Sequence, residues 1–114
     1  MFELDGIQED AANELEEVVM GLIINAGQAR SLAYTALRKA KEGDFTTAKN
    51  LMEQSHVSLN EAHKVQTQLI ESDMGEGRIK VSLVLVHAQD HLMNAMLARE
   101  LITELIELHE KLNH

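Results

Sequence analysis

The sequence predicts an all-α protein, an antiparallel bundle of three long helices. Three observations carry that expectation. The 114 residues contain no Pro and only three aromatic residues, Phe2, Tyr34 and Phe45, while Ala, Leu, Glu, Met, Gln and Lys, all good helix formers, dominate. Apolar residues recur at intervals of three and four over three long stretches. Only two places interrupt them, Gly43-Asp44 and Asp73-Met74-Gly75-Glu76-Gly77, where glycine accepts the left-handed conformation that ends helices.

The first helix is expected over residues 10–42, with Leu15, Val18, Leu22, Ala26, Ala29, Ala33, Ala36 and Ala40 on one face. Gly21 and Gly27 each cost about 1 kcal/mol relative to Ala inside a helix. They imply close helix packing, or a backbone approached by a ligand or partner. Asp44 suits the N-cap of a second helix over 44–72, whose repeating residues are Ala48, Leu51, Ser55, Leu59, Ala62, Val65, Leu69 and Ile70. The third helix, over 78–113, carries Leu83, His87, Asp90, Asn94, Leu97, Leu101 and Leu108 as one stripe. Helices of this length span about 45 Å, and short turns make them an up-down-up bundle.

Further apolar residues lie off that stripe: Val84, Val86, Met93, Met96, Ile102, Leu105 and Ile106. One face of a slender subunit cannot bury them all, so an oligomer with the third helix nearest its centre is expected. Residues 14–114 form the single domain that the length allows. Residues 1–13 are expected to be a mobile acidic tail. No unit repeats, which excludes a solenoid.

Ten Lys and Arg against nineteen Asp and Glu give a net charge of -9. That balance disfavours nucleic acid and anionic membranes, and suits partners with basic surfaces. The absence of Cys removes disulfides and thiolate metal sites. The acidic N-terminus has no hydrophobic signal region, and the apolar run 81–86 is too short to span a bilayer, so a cytoplasmic location is expected.

The chemistry concentrates in Val86-His87-Ala88-Gln89-Asp90-His91. His109 and His114 sit at the helix end and tail, and His56 and His63 lie one heptad apart on the second helix; solvated surfaces account for these four. His87 differs, because Asp90, His91 and Asn94 follow it at three, four and seven residues, on or beside one helix face. Such a cluster within an apolar stripe is costly unless its members are paired or used. Two uses compete. His87, Asp90 and His91 could ligate a metal in a non-catalytic or scaffolding bundle. Alternatively, His87 could be a nucleophile that carries a phosphoryl group. A carrier needs no nucleotide loop, and neither G-x-x-x-x-G-K-[ST] nor G-x-G-x-x-G occurs. Copies of Asp90 converging on a symmetry axis would require a counter-ion, which a divalent cation could supply.

The run KVSLVLVHAQDHLMNAMLARELITELIELHEKL, with ELEEVVMGLIINAGQARSLAYTALRKAKEGDF upstream, resembles the IIA component of the lactose/cellobiose/chitobiose class of the phosphoenolpyruvate:sugar phosphotransferase system. The N,N'-diacetylchitobiose branch is the nearest likeness. The resemblance implies a homotrimer whose three-helix subunits form a nine-helix bundle. It makes His87 the histidine phosphorylated on Nε2, accepting from phospho-HPr and donating to a cognate IIB, which phosphorylates the disaccharide as the membrane component IIC imports it. Asp90 matches the carboxylate that, with its trimer mates, binds a divalent cation, usually magnesium. Met20, Gly21, Asn25, Gly27, Gln89 and His91 resemble residues of the groove around the histidine.

Overall fold

The computed structural model describes residues 2–113 of the backbone, and the side chains of residues 14–113. Three helices follow one another: α1 (Phe2–Lys41), α2 (Phe45–Asp73) and α3 (Leu83–Leu112). They lie side by side in an elongated body of 70 × 22 × 19 Å. The expected all-α, up-down-up architecture is what the chain adopts. None of the described helices is long and apolar enough to cross a membrane.

The first turn is tight because its residues fit it. Gly43 takes φ 86°, Gly43 N–H donates to Ala40 O at 3.0 Å, and Asp44 N–H donates to Lys39 O at 2.9 Å. This pair of bonds satisfies the last carbonyls of α1. Asp44 caps α2 as expected, its carboxylate accepting from Thr47 N–H at 3.1 Å.

Two helix boundaries differ from the sequence expectation. α1 extends back to Phe2 rather than starting at residue 10. The acidic tail expected at 1–13 falls on residues whose side chains lie outside those described. α3 begins at Leu83 rather than 78. Met74 closes α2 in the left-handed conformation at φ 54°, and Gly75 and Gly77 continue at positive φ. Asp73 then organises the connection, accepting from Ile79 N–H at 2.8 Å and Gly77 N–H at 3.3 Å. Ser82 starts α3, its hydroxyl accepting from Leu85 N–H at 3.1 Å.

α1 packs along both other helices, whereas α2 and α3 touch each other less. One apolar cluster holds Val19, Leu22, Ala26, Ala62, Leu85, Ala88, Leu92 and Ala95. The other holds Ala33, Ala36, Ala40, Ala48, Ile102 and Ile106. Between them Ser55, fully buried, donates to Ala29 O at 2.6 Å. The α1 stripe is as expected, except that Val19 rather than Val18 faces inward. On α2, Ile70 points outward.

This core is mostly alanine. Alanine lets helices approach closely but removes little apolar surface from water. Several large apolar residues of α3 lie outside it: Leu83, Leu97, Leu101 and Leu108 are 85, 54, 55 and 51% exposed. The stripe read from the sequence is therefore real, but it is the outer face of α3. The subunit core uses Leu85, Ala88, Leu92, Ala95, Ile102 and Ile106 instead.

Candidate functional site

His87 lies in the second turn of α3 and projects from the exposed face. Ser82 fixes the start of the helix, and Leu85 and Ala88 anchor it on α1, so the histidine sits on rigid backbone. His91, one turn further on, brings its Nε2 to 3.1 Å from Nε2 of His87. The ring centroids are 4.5 Å apart and the planes nearly perpendicular, at 85°. One Nε2 must donate and the other accept, so the two rings fix each other's tautomers.

Asp90 is exposed on the same outer face and makes no hydrogen bond or ion pair with the described residues. Within one subunit, no three His, Asp or Glu side chains of the described residues are placed to hold a metal ion. His87, Asp90 and His91 therefore do not form the single-chain metal site that their spacing allowed. A cation held through Asp90 would have to draw its ligands from several chains. The exposed position of Asp90 within an apolar face fits that arrangement.

The groove residues divide. Gly27 lines an open groove between α1 and α3 with His91, Arg30, Ser31, Tyr34, Thr35 and Arg38. Gly21 and Asn25 lie outside it, as does Met20, which is 45% exposed. A Cβ added at Gly21 or Gly27 would meet nothing within 4 Å. Close packing inside the subunit thus does not account for either glycine. Gln89 points to the α2 side of α3, where Gln66 donates a short hydrogen bond to its side-chain oxygen. It lines a second groove with Leu69, Ile79, Val81 and Leu85.

Sequence reasoning passed over Gln66 and over the row Arg30, Tyr34, Arg38. The row's spacing of four along one helix face was the available signal. His56 and His63 are exposed, as expected, and His109 is partly buried. His114 lies outside the described residues.

An outward-facing imidazole on a rigid helix, tied to a second imidazole and bordered by open grooves, suits a protein that carries a group between partners. Comparison with known proteins gives that class its family. The family described as PTS system, lactose/cellobiose specific IIA subunit matches residues 17–110. The chain belongs to this family. It is 73% identical over 114 residues to the N,N'-diacetylchitobiose-specific EIIA component of Escherichia coli, covering 98% of each chain. It is 39% identical to the lichenan-specific phosphotransferase enzyme IIA component of Bacillus subtilis, over 87% of this chain and 90% of that protein. Among solved structures, the IIA(Chitobiose)–HPr complex of Escherichia coli superposes with a TM-score of 0.77 at 76% identity, covering 88% of this chain and 97% of that one. The cellobiose-specific enzyme IIA of Bacillus anthracis gives 0.83 at 44% identity, covering 86% and 90%.

Proposed function

We propose that this protein is a cytoplasmic phosphocarrier of the sugar phosphotransferase system. His87 takes a phosphoryl group from phospho-HPr and passes it to the cognate IIB. The relay serves uptake and phosphorylation of N,N'-diacetylchitobiose or a related β-linked disaccharide. The observation that carries this reading is the exposed His87 ring, 3.1 Å from His91, in a chain of the IIA family.

In the forward step the Nε2 lone pair of His87 attacks phosphorus, a P–N bond forms, and the bond to the donor breaks. The ring keeps its proton on Nδ1. Nε2 must accept before it can attack, so His91 Nε2–H is the donor in the resting pair. As phosphorus arrives, that N–H lies within reach of a phosphoryl oxygen and can stabilise its charge. The second step reverses the first, with IIB as acceptor.

The homotrimer belongs to this reading as well. The exposed leucines of α3 need cover, and three such faces can meet on an axis. Asp90 would then hold a divalent cation, such as magnesium, with its two symmetry mates; that ion neutralises the converging carboxylates.

A chase experiment tests the function. Protein labelled with phosphoenolpyruvate, enzyme I and HPr is separated from them and mixed with the cognate IIB. The label should move to IIB and leave this chain. Label that stays in place, or is released only to water, would overturn the relay.

A further inference from the structure

Arg30 and Arg38 are the unusual feature of this acidic chain. Both are exposed, on the open groove of α1 beside His91. Arg30 lies over the Tyr34 ring at 5.6 Å, and Arg38 donates to Thr35 Oγ1 at 2.9 Å. Neither meets a carboxylate among the described residues, whose ion pairs use Lys39, Lys49, Lys64 and Arg78. Eight residues apart, the two guanidinium groups start about 12 Å from each other along the helix. That is too far for one phosphate and suits two separate carboxylates.

Glu100 and Glu104 on α3 are likewise exposed, and neither joins a described ion pair. They cannot meet the arginines of their own subunit. The α1 side of α3 is marked by His91. The α2 side is marked by Gln89, held by Gln66, and by Glu110, paired with Lys49. Glu100 lies about three turns on from Gln89 and so shares its side, with Glu104 between it and the exposed leucine stripe. The basic groove and the acidic pair thus flank the stripe on opposite sides.

Opposite flanks of one subunit become neighbours in a ring. When identical chains close around an axis through the stripe, one flank of each copy faces the other flank of the next. The levels also match. α1 and α3 run parallel; Gly27 lies level with His91, and Ala36 shares a cluster with Ile102 and Ile106. Arg38 is therefore level with Glu104, and Arg30 lies about one turn below Glu100, within an arginine's reach.

We propose that Arg30 and Arg38 of each subunit pair with Glu100 and Glu104 of the next copy, across the open groove of α1 beside His91. The pairing rests on the oligomer described under the proposed function and adds the contacts that set its register.

Charge reversal tests it, read by sedimentation velocity across a concentration series. Arg30→Glu with Arg38→Glu should raise the monomer–trimer midpoint concentration by about tenfold, and less at high salt. Glu100→Arg with Glu104→Arg should do the same. A chain carrying all four reversals should return to within about threefold of the original midpoint, since the pairs are restored with exchanged signs. Double variants that assemble like the original protein, or a fourfold variant as weak as the sum of its parts, would overturn the pairing while leaving the trimer intact. An original chain that stays monomeric at every concentration would overturn the trimer itself. Loss of phosphorylation without any change in assembly would assign the groove to a different partner and also overturn the pairing.

Discussion

At the scale of single residues, the proposed function rests on two rings, and a buried hydroxyl supports the frame. His87 is exposed and makes no core contact, so His87→Ala should remove phosphorylation while leaving the helical circular dichroism unchanged. In the proposed mechanism His91 Nε2–H, 3.1 Å from Nε2 of His87, is the donor of the pair. His91→Ala should slow phosphoryl acceptance by about a hundredfold, the usual cost of losing one oriented donor, and stopped-flow transfer from phospho-HPr measures it. A rate within a factor of about two of the original would remove His91 from the mechanism. Ser55 donates to Ala29 O at 2.6 Å from a fully buried site. Ser55→Ala should therefore lower unfolding free energy by about 1 kcal/mol in a urea titration. His87 was legible in the sequence because four polar residues shared one face of an otherwise apolar helix. The Gln66–Gln89 pair was not, since glutamines in amphipathic helices are ordinary surface residues and only tertiary packing brings these two together.

At the scale of elements, the helices were legible but their ends were less so. Gly43-Asp44 was read correctly because one glycine and one capping carboxylate do all of that turn's work. The second connection was misread by five residues. Arg78 to Val81 has enough helix formers to look helical, but Asp73 reaches across and claims the amides of Gly77 and Ile79. Helix formation waits until Ser82 can cap. Ser82→Ala should cost about 1 kcal/mol and fray the first turn of α3, just before His87; faster amide exchange at Leu85 would register it.

Asp73 gives this connection a pH dependence. The backbone N–H of Ile79, helped by Gly77 and Arg78, holds its carboxyl below the ordinary value of 3.8, although desolvation acts the other way. A depressed carboxyl pKa stabilises the fold fully above the unfolded value, and the contribution disappears as pH falls through the folded value. The Ile79 amide should therefore lose protection only below about pH 3.8, and Asp73→Asn should remove that step. An unchanged step in the variant would assign it to another group.

At the scale of the whole molecule, the alanine-lined core and the leucine-lined exterior of α3 belong to one design. Half-exposed Leu97, Leu101 and Leu108 each stand to gain about 1 kcal/mol when covered. The sequence showed the excess of apolar residues, and hence an oligomer, but not which stripe faced inward, because both faces of α3 carry apolar residues at helical spacing. Asp90 interrupts the outer face with a charge. Asp90→Leu should keep or raise trimer stability, since it would remove the three carboxylates that converge in the proposed trimer; a large fall in the assembly's melting temperature would instead make cation bridging essential. The central claim remains that His87 carries the phosphoryl group, and phosphorus NMR of the protein charged with phosphoenolpyruvate, enzyme I and HPr tests it most directly. The account predicts one phosphoryl group per chain, on Nε2 of His87, and no signal from His87→Ala. A phosphohistidine that persists in that variant, or that maps to another residue, would contradict it.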